Sequence, residues 1–150
     1  MDGAFILSSK HVVVVEGSSD INYIRQAIEI FSSRDNKYNC LKRLSYLPQG
    51  SADHTESFYT EVIVKALEPI ERVLFIYDRD DNGKNGYKII NKYKTDQPKI
   101  NAIYYQPDYS TDMADSDSFF VEDLFSPASY QNILDELRQI SQYNGFKNRR

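Results

Sequence analysis

Two runs of mostly apolar residues are each followed at once by an acidic side chain. His11–Val15 leads into Glu16, and Arg72–Tyr77 leads into Asp78. A run of consecutive β-branched and other apolar residues is typical of a strand buried on both faces, as in a parallel sheet. Because the sites of open α/β sheets form beyond the carboxyl ends of the strands, we expect the two acids to share one site.

The rest of the chain alternates helical and strand patterns around these two runs. A helix is predicted between a cap at Ser18, Ser19 or Asp20 and the polar stretch after Phe31, because its apolar residues recur at spacings of three and four. The remaining predicted elements are strands over Cys40–Leu47 and Ile100–Tyr105, and helices over Asp53–Leu67, Asn85–Tyr93 and Ser126–Gln142. This alternation predicts an α/β fold with a mainly parallel four-stranded sheet and helices on both faces.

Length and composition suit one globular domain. The chain has 150 residues, 41% of them hydrophobic and 27% charged, which is enough for a core of its own. We therefore predict a single domain over residues 1–150, which can also be a piece of a longer protein. No apolar run approaches the roughly 20 residues that span a bilayer, and residues 1–10 lack the pattern of a secretory signal. A cytoplasmic protein without membrane attachment is the expectation.

Cysteine, histidine and net charge disfavour several classes of protein. The single cysteine, Cys40, cannot form an intrachain disulfide, and the two histidines, His11 and His54, form no cluster with it at zinc spacing. The net charge of −4 argues against a broad basic surface for nucleic acid, although binding through a metal ion is compatible with it. The tail Lys147–Arg150 is basic.

Four carboxylates can meet where the two acidic strands end. Glu16 and Asp78 follow the strands, and Asp80 lies two residues further, so that an extended backbone points it the same way as Asp78. Asp20 lies one turn into the helix and can turn back to the same place. Clustered carboxylates repel one another unless a cation bridges them, and hard oxygen ligands favour Mg²⁺ or Mn²⁺ over zinc. Two such ions could activate water and stabilise the leaving oxygen of a phosphodiester.

The segments Val12–Asp20 and Phe75–Asp80 together resemble the TOPRIM domain that topoisomerases, bacterial primases, small ribonucleases and OLD-type nucleases share. The resembling pattern is an apolar strand with Glu-Gly-x-x-Asp, then a second apolar strand with Asp-x-Asp, and it extends over roughly residues 10–125. The resemblance implies a TOPRIM-like Rossmannoid three-layer fold. It also implies catalytic roles as metal ligands, or for the glutamate as general acid/base, for Glu16, Asp78 and Asp80.

A later acidic segment extends the resemblance toward OLD-type nucleases. Phe119–Val121 is followed by Glu122 and Asp123, which resembles the third acidic element of that family. The resemblance implies that Glu122, or else Asp123, helps to hold a second metal ion. It also implies a downstream lysine that stabilises charge in the transition state, for which Lys147 is the only candidate. A chain without that lysine would bind metal and cleave poorly.

This resemblance predicts a Mg²⁺-dependent endonuclease that hydrolyses phosphodiester bonds, with DNA favoured over RNA as its substrate. An OLD-type nuclease would work with an ATPase domain or subunit, in anti-phage defence or DNA processing. The alternative from another class is a catalytically silent TOPRIM module that binds nucleic acid or a partner protein. A receiver-like or phosphatase-like domain would use an Asp-x-Asp nucleophile, and it leaves Glu16 and Asp20 without a role.

Several of these residues also have purely structural interpretations. Asp20 can be a capping acid at the start of a helix. The stretch from Asp78 to Gly83 matches the first half of an EF-hand calcium loop, but the twelfth position is Ile89 rather than glutamate. Arg79 is expected either to contact a backbone phosphate or to pair with an acid. His54 is expected either on the surface of a helix or in contact with a phosphate.

Overall fold

A four-stranded parallel sheet forms the centre of the protein. The computed structural model describes residues 10–66, 68–106, 118–119 and 133–139. The strands lie in the order β2-β1-β3-β4 and every pair is parallel. They are β1 His11–Val15, β2 Ser45–Pro48, β3 Arg72–Tyr77 and β4 Ile100–Tyr104. The predicted α/β class with a parallel four-stranded sheet is confirmed, and the arrangement is Rossmann-like.

β1 and β3 occupy the middle of the sheet, and their ends are in register. Val12 lies opposite Val73 and Val15 lies opposite Ile76, so the two strands end side by side. All of β1 and all of β3 except Arg72 are buried. Burial on both faces explains why both sequences are continuous apolar runs. The strand adjacency on which the predicted carboxylate site depends is therefore present.

Helices cover both faces of the sheet. The α-helices are α1 Ser18–Arg34, α2 Thr55–Phe58, α3 Val64–Ala66 and α4 Asp81–Lys94. On one face α1 packs in a core with Val13 and Val15 of β1, because alternate residues of a strand point to opposite faces. On the other face Val12 and Val14 pack in a second core with α4 and the helical segment 52–66. The sheet is thus the middle layer of three.

The strand predicted over Cys40–Leu47 is wrong in its first half. Asn36–Arg43 forms a 3-10 helix, and β2 begins only at Ser45. A 3-10 helix has three residues per turn, so a spacing of three aligns side chains on one face. The buried apolar side chains here have that spacing, and they are Tyr38, Leu41 and Leu44. Their burial under α1 determines the conformation of this segment.

The segment predicted as one helix over Asp53–Leu67 is helical but is not a continuous α-helix. A 3-10 turn at Ala52–His54 leads into α2, then into a π-helical turn at Tyr59–Ile63, and then into α3. Leu67 lies outside the described residues. Both terminal residues of the π-helical turn are buried, so the wider turn retains an inward-facing side.

The later elements follow their predictions closely. α4 begins at Asp81, four residues before the predicted start at Asn85. β4 ends at Tyr104, one residue early. Residues 133–139 are helical, within the predicted Ser126–Gln142, and the rest of that range lies outside the described residues. In the part of the chain that the structure describes, no helix has the length and hydropathy of a membrane span.

Candidate functional site

A side chain joins the carboxyl ends of β1 and β3. Oε1 of Glu16 accepts a hydrogen bond of 2.9 Å from the backbone N–H of Asp78. Glu16 is the first residue after β1 and Asp78 is the first after β3, so the parallel pairing of the strands brings them together. The hydrogen bond fixes the orientation of the Glu16 carboxylate at this edge of the sheet.

The carboxyl group of Glu16 holds its proton more tightly than an ordinary glutamate. Its pKa is raised from 4.5 to about 7, chiefly by burial. The hydrogen bond from Asp78 lowers the pKa, whereas the charges of Asp78, Asp80 and Asp20 raise it further. A carboxyl group that titrates near neutrality suits a general acid or base. A bound cation would relieve its repulsion from the three neighbouring carboxylates.

Asp20 stabilises the start of α1 through a hydrogen bond to the backbone. Its side chain is buried, and Oδ2 accepts a hydrogen bond of 3.0 Å from the backbone N–H of Gly17. The N-cap position is occupied by Gly17 and not by Ser18, Ser19 or Asp20 as expected, and Asp20 caps the helix from its third position. Glycine has no side chain to contribute, and the acid three residues later binds the N–H of the cap instead. The structural role considered for Asp20 is present, and its role as a metal ligand stays a prediction.

Asp80 caps α4 inside a tight turn. Its backbone is extended, with φ −116° and ψ −176°, and its Oδ1 accepts a hydrogen bond of 2.7 Å from the backbone N–H of Gly83. A Cβ atom at position 83 would lie 1.9 Å from the carbonyl oxygen of Asp78. Only glycine therefore lets the chain pass directly from the end of β3 into α4, with both aspartates at the positive end of the helix.

Arg79, which lies between Asp78 and Asp80 in the sequence, is buried and stacks on an aromatic ring. The residue is 8% exposed, and the carbon of its guanidinium group lies 5.0 Å from the ring centroid of Tyr104. Sequence reasoning did not anticipate this cation–π contact, which contributes to packing. The expected contacts with phosphate or with an acid stay predictions.

The backbone of Arg79 also forms hydrogen bonds with a part of the chain that is distant in sequence. It pairs with Phe119 in an antiparallel bridge: the N–H of Arg79 donates to the carbonyl of Phe119 at 2.6 Å, and the reverse bond measures 3.2 Å. Phe119 is the first residue of the predicted apolar segment, so that segment begins beside the turn that carries Asp78 and Asp80. The residues expected to follow in the site, Glu122, Asp123 and Lys147, lie outside the described residues.

The structure adds a buried polar network that sequence reasoning missed. Nε2 of Gln49 donates to the carbonyl of Ser51 at 2.9 Å and to Oγ1 of Thr55 at 3.0 Å. The hydroxyl of Tyr77 lies 3.1 Å from the same Oγ1. Because Thr55 gives its own proton to the carbonyl of Ala52 at 2.7 Å, Tyr77 is the donor in this pair. The network is buried and lies at the edge where β2 and β3 end.

The same network is tied to the backbone of Glu16. The N–H of Gln49 donates to the carbonyl of Val15, and the N–H of Gly50 donates to the carbonyl of Glu16, both at 2.9 Å. Gly50 has a φ of +98°, a conformation that suits glycine. Glu16 is therefore held at two points. Its carbonyl accepts from Gly50, and its carboxylate accepts from Asp78, the residue that directly follows Tyr77.

Only an indirect sequence signal pointed to this network. The Pro48-Gln49-Gly50 stretch predicts the end of a strand, and the end of any strand in a parallel sheet lies at the same edge as Glu16. That reasoning places Gln49 near the site. It does not identify Thr55 or Tyr77 as its partners.

The side chains around Glu16 suit a hard divalent cation, since they are carboxylates without histidine or cysteine. The charges of the three aspartates act on the carboxyl group of Glu16, as its pKa shows. Among the residues that the structure describes, no three acidic, histidine or cysteine side chains are already grouped as a metal centre. The magnesium site stays a prediction.

No protein-family model, curated protein or solved structure matches this chain. The interpretation of the site therefore rests on its own residues, their geometry and the motifs that they form.

His54 is exposed at the end of its 3-10 turn, in agreement with a surface position. Its contact with a phosphate stays a prediction.

Proposed function

We propose that the chain is a TOPRIM-type nuclease domain that uses Mg²⁺ to hydrolyse phosphodiester bonds of nucleic acid, with DNA favoured over RNA. The observation that carries the proposal is the hydrogen bond from the backbone of Asp78 to Glu16 across two adjacent parallel strands. It supports a shared site for the Glu-Gly-x-x-Asp and Asp-x-Asp motifs. The resemblance of these motifs to OLD-type nucleases supports the choice of reaction.

In this proposal each side chain has a defined task. Asp78 and Asp80 would hold a metal ion with Asp20 as a further ligand, and Glu122 would help to hold a second ion. The carboxyl group of Glu16, with a pKa of about 7, serves as a ligand or accepts the proton of the attacking water. Metal ions held there would act as Lewis acids and stabilise the charge that develops on the phosphate. The hydrogen bond from the backbone N–H of Asp78 fixes the orientation of the Glu16 carboxyl group.

The test is cleavage of supercoiled plasmid, linear duplex DNA and RNA by the full-length protein, with Mg²⁺, with Mn²⁺ and with EDTA. Glu16→Gln and Asp78→Asn keep the size of each side chain and remove its charge. Both are expected to lower the rate at least a hundredfold. Glu29→Gln is the matched control, because Glu29 is an exposed acid on α1 that pairs with Lys42.

Metal-dependent cleavage that disappears in both site variants and persists in Glu29→Gln would support the proposal. Equal cleavage by Asp78→Asn and the unsubstituted protein would contradict it. If the full-length protein also contains an ATPase domain, as the OLD resemblance implies, the same assay with and without ATP tests whether nucleotide controls the reaction.

A catalytically silent module is the second candidate, and one observation favours it. Asp20 and Asp80 each already accept a backbone hydrogen bond at the start of a helix, so both have a structural use without metal. A silent module would bind nucleic acid or a partner protein and cleave nothing. Isothermal titration with Mg²⁺ and Mn²⁺ separates the two, since a silent module has no need for a metal ion.

A further inference from the structure

One side of α4 carries a row of lysines that leads away from the carboxylate site. Lys84, Lys88 and Lys92 are spaced by four residues, so they are neighbours on one side of the helix. α4 contains four lysines and a single acid, Asp81, in a chain whose net charge is −4. The helix is therefore a local positive surface on an acidic protein.

Two members of this row have no acidic partner in the described part of the chain. Lys88 and Lys92 are exposed, and no ion pair or hydrogen bond of their ammonium groups is found there. By contrast, Lys37 pairs with Asp35 at 3.4 Å and Lys42 pairs with Glu29 at 3.4 Å. The charges of Lys88 and Lys92 are thus available to an external anion.

The row begins next to the carboxylates and extends away from them. Asp80 caps α4, and a helix rises about 1.5 Å per residue, so the three lysines lie roughly 6 to 18 Å along the axis from the site. Beside the row, the rings of Tyr87 and Tyr104 are stacked with centroids 4.3 Å apart, and both are partly exposed. Flat aromatic surfaces next to cations are typical of surfaces that bind nucleic acids.

We propose that Lys84, Lys88 and Lys92 bind the phosphate backbone of a nucleic acid that leads into the carboxylate site. This inference rests on the proposed function and assigns the surface that holds its substrate. A cluster of carboxylates repels a polyanion, and cations beside the cluster offset that repulsion. A row of point charges without base-reading groups binds independently of sequence. The row therefore holds the substrate whether or not metal is bound.

The test measures binding of a labelled duplex oligonucleotide and of its single strand by fluorescence anisotropy, over a range of salt concentrations, in EDTA. The full-length protein is compared with Lys88→Gln/Lys92→Gln and with the matched control Lys37→Gln/Lys42→Gln. Both double variants lose the same charge, and glutamine preserves helix propensity. The α4 variant is expected to bind roughly tenfold more weakly, with a salt slope lower by about 2, since each lost phosphate contact lowers it by about 1.

The inference is supported if, in addition, the control variant has the same affinity and salt slope as the unsubstituted protein. The inference is overturned if the α4 variant binds like the unsubstituted protein, if both variants weaken equally, or if no binding is detected. Preference for an acidic peptide over both oligonucleotides would also overturn it.

Glu16→Gln distinguishes a failure of this inference from a failure of the nuclease proposal. In EDTA it is expected to bind the oligonucleotide at least as tightly as the unsubstituted protein, because it removes a carboxylate that repels the polyanion, and in Mg²⁺ to cut at least a hundredfold more slowly. Lysine-dependent binding by a protein that never cleaves would support the row and contradict the nuclease. Normal binding by the α4 variant, together with cleavage that depends on Glu16, would contradict the role of the lysine row and support the nuclease proposal.

Discussion

Oε1 of Glu16 accepts its 2.9 Å hydrogen bond from the main chain of Asp78 and not from its side chain. The two residues are therefore connected in position independently of whether the side chain at 78 carries a charge. Substitutions at Asp78 change the charge of the site and leave the orientation of Glu16 intact. Glu16→Ala changes both, whereas Glu16→Gln removes the charge and retains an oxygen that can accept the hydrogen bond. This difference separates electrostatic from geometric effects in the variants below.

Without metal, the protein is expected to be more stable at pH 5 than at pH 8. The pKa of Glu16 is about 7 in the folded protein and 4.5 ordinarily, so the folded state binds the proton more tightly. Stability from this group is present below about pH 4.5 and is lost as the pH rises through 7. Because Glu16 is only partly buried, solvent screening reduces the full effect to about 1–2 kcal/mol.

Urea denaturation in EDTA at several pH values measures this contribution. Glu16→Gln has no proton to release, so its free energy of unfolding should fall less between pH 5 and pH 8 than that of the unsubstituted protein. Glu29→Gln is the control for loss of an exposed acid and should retain the full pH dependence. An identical pH dependence in Glu16→Gln would show that another group is responsible.

The polar network predicts that Thr55→Val is more harmful than Tyr77→Phe. Removing the hydroxyl of Tyr77 costs about 1 kcal/mol, because Oγ1 of Thr55 retains Gln49 as a donor. Removing the hydroxyl of Thr55 leaves the buried hydroxyl of Tyr77 without this acceptor and costs about 2–3 kcal/mol. Urea denaturation of both single variants and of the double variant measures the coupling. If the network is real, the double variant loses less than the sum of the single losses.

Gly83, in the first turn of α4, provides a test of the turn after β3. Gly83→Ala would place a Cβ atom 1.9 Å from the carbonyl oxygen of Asp78, and a backbone group cannot rotate away as a side chain can. We expect a loss of stability of about 3 kcal/mol, which exceeds the gain in helix propensity of about 1 kcal/mol. Asn85→Ala, on the exposed side of the same helix, is the control and should be neutral or slightly stabilising. Thermal unfolding of both variants checks this, and equal melting temperatures would contradict the geometry of the turn.

The sequence predicted the site best where one local rule determined the structure. The runs before Glu16 and Asp78 are apolar at every position of the strand interior, as strands buried on both faces require. That the two strands are neighbours comes from the strand order of the sheet and not from the runs themselves. The 3-10 helix at Asn36–Arg43 was missed because three apolar residues at a spacing of three are too few to outweigh the strand pattern over Cys40–Leu47. The partners of Gln49 were missed because they depend on packing between segments distant in sequence.

Mg²⁺ is expected to stabilise the protein more at pH 8 than at pH 6. Below pH 7 the carboxyl group of Glu16 is increasingly protonated, so a proton competes with the metal ion for the site. At a Mg²⁺ concentration about 100 times its dissociation constant, binding stabilises the folded state by about 2.7 kcal/mol. Melting temperatures with and without Mg²⁺ at the two pH values measure the effect. Asp78→Asn should abolish the stabilisation at both pH values while Glu29→Gln preserves it, because only the first removes a charge from the end of β3. Equal stabilisation of Asp78→Asn and the unsubstituted protein would place the metal ion elsewhere.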